Sequence, residues 1–351
     1  MITYLLTEPF RDTVETYLAT WGREVREIVE VLSYDELFNG RVVEAATVVF
    51  CDLERLTPDE TSLADEAWLE LSESSSPPLL LNRPSSALSR TALIQTLHAR
   101  EVNSYTALPL RNALGRLRYP VFVRHRSEHW GPLTPLLPDR HALELAVTRA
   151  YLLRRIDELL AVEFCDTADS DGMYRKYAAF VIGDRILPRH LVFDHAWQLK
   201  TPRLLDGNKL TEERAYLEAN PHREELLSVA RIAGVDYGRF DYGLLNGKVQ
   251  VWEINTNPII MMAPAAYDSV HFPNQEWFAT HIAAELRRLD GPSAQAYSWS
   301  RPTPTSRVGR QRRKTASRVA QMTRTATARR VLDAGARFAR PWVVARLSRA
   351  Q

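Results

Sequence analysis

Residues 234–258 read GVDYGRFDYGLLNGKVQVWEINTNP, and the rest of the chain is interpreted outward from them. Asn246-Gly247 is a turn dipeptide with apolar runs on both sides, the pattern of a β-hairpin. Alternate side chains of a strand share a face, so Arg239 goes with Asp241 and Glu253 with Asn255. If both pairs lie on one side, a small surface carries two carboxylates, an amide and a guanidinium. Hard cations such as Mg²⁺ take carboxylate and amide oxygens and share them with substrate phosphates. Such chemistry points to a nucleotide-using enzyme.

This reading carries a register condition. A two-residue loop at Asn246-Gly247 sets Asp241 opposite Trp252 and turns Glu253 to the other face. An odd-length loop, for instance Leu245-Asn246-Gly247 with the glycine left-handed and a bulge, brings Asp241 and Glu253 together. The odd loop is the expectation.

A length of 351 residues allows two or three structural units with ample core. The two cysteines, Cys51 and Cys165, sit in apolar, strand-like contexts and show no zinc spacing, so they read as reduced core residues. The start, MITYLLTEPF, lacks a basic n-region and a long apolar run, and no window has the roughly 18 apolar residues of a membrane span. A cytoplasmic protein is expected. The net charge of +2 hides an asymmetry: from Arg301 onward there are 13 Arg, one Lys and one Asp, which leaves the first 300 residues acidic.

Upstream, residues 1–85 alternate strand and helix signals. Ile2 to Leu6, Val29 to Leu32, Thr47 to Cys51 and Leu79 to Leu81 are short apolar runs. Helical patterns lie around Thr13 to Trp21 and from Pro58 to about Leu71. That order suggests a small α/β unit with a mainly parallel sheet. It has neither the GxGxxG fingerprint nor the GxxxxGK[ST] phosphate loop, so a nucleotide would bind elsewhere. A helix is expected over Ser86 to Ala99, with Ser86 or Ser89 as cap, and another over Ala142 to Leu159. The run YPVFVRHR, Tyr119 to Arg126, carries Arg124 out of an apolar strand toward the turn RSEHWG. The short strand LAVEF carries Glu163, which suits either an adenine amino group or an ordinary edge position. Met173 to Ile182 and Arg185 to Val192 form a second hairpin, with Arg175 and Lys176 at its start and Arg189 and His190 near its end. His190 and His195 lack partners at metal-ligand spacing. Trp197, Lys200 and RLLDGNKL suit a covering segment, and Thr211 to Ala233 reads as one or two helices.

These stretches resemble the ATP-grasp superfamily, most closely its D-alanine–D-alanine ligase-like and glutamate-ligase-like branches. GRFDYGLLNGKVQVWEINTNP looks like the core motif, in which an Arg-x-Asp strand turns back into a Glu-x-Asn strand followed by proline. YPVFVRHRSEHWG looks like the phosphate-binding strand and flexible loop, LAVEFCDT like the hinge strand, and MYRKYAAFVIGDRILPRHL like the following hairpin. The resemblance spans about residues 80–290. It implies an α/β (α+β) chain: a pre-grasp α/β domain over 1–85, a grasp domain over 86–290 with subdomains of about 86–160 and 161–290, and a basic tail over 291–351.

Carried over by position, Asp241, Glu253 and Asn255 would hold Mg²⁺ ions bridging the phosphates of ATP, and Arg239 would stabilise a tetrahedral oxyanion. Arg90, Arg124, Glu163 and Lys176 would bind ATP. Two departures stand out: Arg124 replaces the usual lysine, keeping the charge and adding a fork, and the loop has a single glycine. The implied reaction is ATP-dependent joining of a small-molecule carboxylate to an amine through an acylphosphate. Phosphoryl transfer to an alcohol and a non-catalytic nucleotide-binding scaffold are the alternatives. The tail, with its apolar Trp342, Val343, Val344 and Leu347, suits an anionic membrane surface (peripheral association), nucleic acid or an acidic protein, and equally docking on the acidic body.

Overall fold

The computed structural model describes residues 1–127, 131–199, 206–292 and 295–299, together with Arg340, Val343, Val344 and Leu347. The tip of the RSEHWG loop at 128–130, Lys200 with residues 201–205, the basic segment 301–339 and Trp342 lie outside the described residues. The chain divides into two compact units, Met1–Ser104 with Asp166–Arg301, and Tyr105–Cys165 with the described C-terminal residues.

The first unit begins with alternating elements: β1 (Ile2–Leu6), α1 (Asp12–Ala19), β2 (Val29–Ser33), α2 (Tyr34–Phe38), β3 (Thr47–Phe50), α3 (Pro58–Ser72) and β4 (Leu79–Leu81). Their strands form the expected parallel sheet in the order β2-β1-β3-β4. Strands β1 and β3 are buried along their whole length, so the sheet is covered on both faces. Helix α3 starts where Thr57 and Glu60 make a reciprocal capping box around Pro58, which needs no backbone donor in the first turn. Next comes α4 (Arg90–Ala99), for which Ser89 is the cap, its hydroxyl accepting from the Ala92 N–H.

The second unit holds β5 (Ala107–Pro109), β6 (Val121–His125), α5 (Arg140–Leu152) and β7 (Leu159–Glu163), with the antiparallel sheet ordered β5-β7-β6. Helix α5 ends seven residues earlier than the periodicity suggested. Arg154 takes a left-handed φ of 54°, and Ile156–Glu158 continues as a short 3₁₀ turn. Val343 and Leu347 are buried in this unit's core with Leu143 and Val147 of α5. Arg340 donates to Glu144 at 2.8 Å. The described C-terminal residues therefore pack within this unit.

Back in the first unit run β8 (Tyr174–Ile182), β9 (Arg185–Asp194), α6 (Gly207–Ala219), α7 (Arg223–Ala233), β10 (Tyr237–Leu245), β11 (Lys248–Asn255) and α8 (Phe272–Leu289). Their antiparallel sheet has the order β11-β10-β8-β9. One face packs Ala179, Val181, Phe240, Tyr242 and Val251 against Leu93 and Leu97 of α4 and Leu226 and Val229 of α7. At one end the opposite face shares a core with the parallel sheet: Phe180, Ile182 and Tyr237 join Tyr4, Val49 and Phe278 of α8. The Tyr4–Tyr237 edge-on contact, 5.3 Å between ring centres, is worth roughly 0.5–1.5 kcal/mol beyond its burial. Among the described residues, no helix is long and apolar enough to cross a membrane. Cys51 and Cys165 are both free thiols, Cys51 buried and Cys165 half-buried.

Candidate functional site

The β10–β11 turn has two residues, not three. Asn246 and Gly247 both take positive φ, 53° and 76°, and Leu245 pairs directly with Lys248. The odd-loop expectation is therefore corrected, yet the shared face survives. Tyr242 pairs with Val251 while Asp241 pairs with Glu253, so Trp252 is an extra residue, a bulge inside β11. Gly243 makes room for it: a Cβ there would lie 2.7 Å from Trp252 Cζ2. The parity change thus occurs inside the strand. It sets Asp241 opposite Glu253 and Arg239 opposite Asn255, and all four side chains share one face.

Lys176 of β8 joins them. Asp241 pairs with Ala178, so Lys176 lies two residues along on the same face, and its Nζ is 2.5 Å from Asp241 Oδ2. Arg239 Nε donates to Asp241 Oδ1 at 3.1 Å. Burial alone would raise the Asp241 pKa; the cations Arg239 and Lys176 outweigh it and hold the carboxyl below its ordinary range. Glu253 accepts from Arg90 Nη2 at 2.7 Å. Arg90 sits in the first turn of α4, where the helix dipole disfavours a cation, and Glu253 supplies the compensating charge.

Asn255 is fixed from behind. Its Oδ1 accepts from the Asn257 N–H at 2.9 Å, and Asn257 Nδ2 donates to Asp52 Oδ2 at 3.0 Å. Thr13 Oγ1 donates to Asn257 Oδ1 at 2.7 Å. Asp52 also accepts from the Thr7 N–H and hydroxyl, at the C-terminal ends of β1 and β3. The parallel sheet therefore holds the exit of the hairpin in place.

Strand β9 carries a residue to which the sequence reading gave no role. His190 pairs with Ala178 and Pro188 with Ala179, which makes Arg189 a second bulge residue. Its guanidinium lies over the Phe278 ring at 4.4 Å, Nε donates to the Ile260 carbonyl at 3.1 Å, and Nη2 donates to Tyr267 at 2.9 Å. Burial first, and Arg239 among other neighbours, lowers its pKa. His190 lies in the cross-strand row of Ala178, Asp241 and Glu253, and burial together with Arg189, Arg239 and Lys176 keeps it neutral. Proline interrupts a strand only at edges or bulges, so Pro188 was the available signal for Arg189, as Gly243 was for the Trp252 bulge.

The first unit thus brings together Arg90, Lys176, Arg239, Asp241, Glu253 and Asn255. The other two expected ATP ligands lie in the second unit. Arg124, half-buried on β6, pairs with Leu160 of β7. Glu163 ends β7, where Oε1 accepts from the Arg118 N–H at 2.8 Å and Oε2 from Arg118 Nη2 at 2.8 Å and the Thr106 N–H at 3.4 Å. Among the described residues, no group of three or more His, Cys, Asp or Glu side chains is placed to hold a metal by itself. Two carboxylates and an amide on one face fit a different case: Mg²⁺ carried on a nucleotide needs only one or two protein carboxylates, and phosphates and waters complete its shell.

No family model matches the chain, and no curated protein matches it. Solved structures do resemble it. The D-alanine–D-alanine ligase of Bacillus anthracis complexed with ATP is 12% identical, covers 82% of this chain and 98% of its own, and gives a TM-score of 0.44. The enzyme of the same name from Coxiella burnetii is 14% identical over 82% and 94%, with a TM-score of 0.47. A RimK domain ATP-grasp protein of Sphaerobacter thermophilus is 14% identical over 82% and 100%, with a TM-score of 0.45. These are proteins the chain is similar to.

Proposed function

We propose that the chain is a Mg-ATP-dependent ligase of ATP-grasp type that joins a small carboxylate to an amine. The observation that carries this reading is the Trp252 bulge, which sets Asp241 opposite Glu253 on a face that also presents Asn255, Arg239 and Lys176, with Arg90 of α4 reaching Glu253. A sheet stores an extra residue at a cost, and here the bulge brings oxygen ligands and cations to one place.

In this reading Asp241, Glu253 and Asn255 would hold a metal ion, which would supply positive charge against that of the phosphates. Lys176 exchanges its contact with Asp241 for a phosphate oxygen, and Arg90 turns from Glu253 in the same way. The substrate carboxylate oxygen attacks the γ-phosphorus, and the bond to the β-phosphate oxygen breaks with ADP leaving. The amine nitrogen then attacks the acyl carbon, phosphate departs with the C–O electron pair, and the nitrogen loses its proton. Arg239 stabilises the tetrahedral oxyanion, a contribution of about 3–4 kcal/mol for one well-placed donor.

The test is a screen of amino acids and small carboxylic acids for phosphate release from Mg-ATP by the full chain. A ligase gives ADP and phosphate in an amine-dependent manner. ADP without phosphate would replace the reading with phosphoryl transfer to an alcohol. ATP binding with no turnover on any acceptor would replace it with a scaffold.

A further inference from the structure

On the same sheet, strand β9 carries a second arginine, Arg189, within electrostatic reach of Arg239. Glu213 lies within electrostatic reach of Arg189, but its oxygens accept from the Leu191 N–H at 3.2 Å and from Asn274 Nδ2 at 2.8 Å. Arg189 is deeply buried. Only 5% of it is exposed, two of its three nitrogens are spent on Ile260 and Tyr267, and Nη1 is buried with no hydrogen-bond partner among the described residues. A buried guanidinium edge without an acceptor costs on the order of 1–3 kcal/mol or more, and a ligand, a water or an ion that supplies the acceptor removes that cost.

The position of Arg189 tells what that ligand is. Phe278, which carries the guanidinium, packs on Phe180 at 5.6 Å, and Phe180 pairs with Arg239 across the sheet. Arg189 therefore lies beside the proposed oxyanion-stabilising arginine, on the side of the sheet away from Glu253 and β11. With Nε and Nη2 engaged, Nη1 is left as a charged donor suited to an oxygen of an oxyanion. We propose that Arg189 binds the substrate: its Nη1 edge, with Arg239, receives one oxyanion, either a carboxylate of the substrate or a transferable phosphate. This rests on the reading of the face as a substrate site and adds its anion-binding residue.

The experiment uses the full-length chain as wild type, Arg189→Gln and Arg189→Lys. Inorganic phosphate and acetate are titrated separately by calorimetry, at constant ionic strength, with and without Mg-ADP present. The expected result is saturable binding of one of the two anions to the wild type. Arg189→Gln should weaken it about 10- to 100-fold, the loss of one charge-assisted hydrogen bond, with Mg-ADP affinity changed by less than about threefold. Arg189→Lys, which keeps the charge and loses the planar guanidinium, should fall between. A preference for acetate assigns the subsite to a carboxylate, and a preference for phosphate to a phosphoryl group. Unchanged anion affinity in a folded Arg189→Gln or Arg189→Lys protein overturns the proposal, as does wild type that binds neither anion. If Arg189→Gln does not fold, the lysine variant decides alone. Anion binding that depends on Arg189 in a protein that does not bind Mg-ADP would reject the ligase reading and leave the anion site standing.

Discussion

Asp241 and Glu163 are both strand carboxylates, each with side chains only 5% exposed and an arginine partner, yet they are held in opposite ways. Glu163 accepts from the backbone N–H groups of Arg118 and Thr106, donors that the chain itself fixes. Asp241 is held by Lys176 and Arg239, cations on flexible stems that have other acceptors to choose when a charged ligand arrives. Backbone donors lock a carboxylate into the fold, whereas side-chain cations leave it exchangeable. By this criterion the hairpin face is built for ligand exchange, and the Glu163 corner is bound first to structure.

The comparison breaks most visibly at Asp241 and Glu253. Asp241→Asn or Glu253→Gln should lower Mg-ATP turnover by roughly 10³-fold or more, as expected when several kcal/mol of metal-assisted stabilisation is lost. Some loss of melting temperature should accompany it, because each change leaves buried cations without their carboxylate, and full turnover in both folded variants would place the chemistry elsewhere. Gly243→Ala probes the bulge that creates the site. Its Cβ meets Trp252 at 2.7 Å, so it should destabilise the protein by about 1–3 kcal/mol and depress turnover. Gly247→Ala has nothing within 4 Å and suffers only from its positive φ, so it should cost about 1 kcal/mol and leave turnover alone. Equal turnover losses would mean that the bulge has no special role.

Glu163→Gln sharpens the contrast from the other side. It should cost roughly 1–3 kcal/mol in a denaturant titration, because it disturbs a buried acceptor of backbone donors. A loss of ATP affinity at unchanged stability would instead make Glu163 a nucleotide ligand first. The smallest effect belongs to Glu36, a half-exposed carboxylate. Burial raises its pKa, but the Ser33 N–H and hydroxyl and the Arg11 guanidinium lower it further, so the folded value lies below the ordinary 4.5. A depressed folded pKa adds stability above the unfolded value that is lost as pH falls through the folded one. Glu36→Gln should therefore cost a few tenths of a kcal/mol at pH 7, and the difference should close in melting curves taken well below pH 4.5.

Much of this was legible in the sequence because it is local. The four parallel strands follow from short apolar runs, α3 from Thr57-Pro58 and Glu60, and the hairpin from Asn246-Gly247. The grouping of Asp241, Glu253, Asn255 and Arg239 on one face was legible as a pattern, but the device behind it was placed in the wrong position. Turn dipeptides announce themselves, whereas a bulge depends on a cross-strand fit such as Trp252 over Gly243, which no single strand displays. Arg189 was missed for a related reason. Its burial comes from Phe278, Ile260 and Tyr267, all more than seventy residues away in the chain. The early end of α5 was hidden because a left-handed arginine at 154 leaves no mark on hydrophobic periodicity.

The most direct test of the hairpin site is metal uptake. Free Mn²⁺ would be followed by electron paramagnetic resonance while wild type and the Asp241→Asn, Glu253→Gln double variant are titrated, each with and without ADP. Against a control with ADP alone, which itself chelates Mn²⁺, wild type should withdraw additional Mn²⁺ only when ADP is present, and the folded double variant should match the control. Equal ADP-dependent uptake by both proteins would contradict the placement of the metal on Asp241 and Glu253.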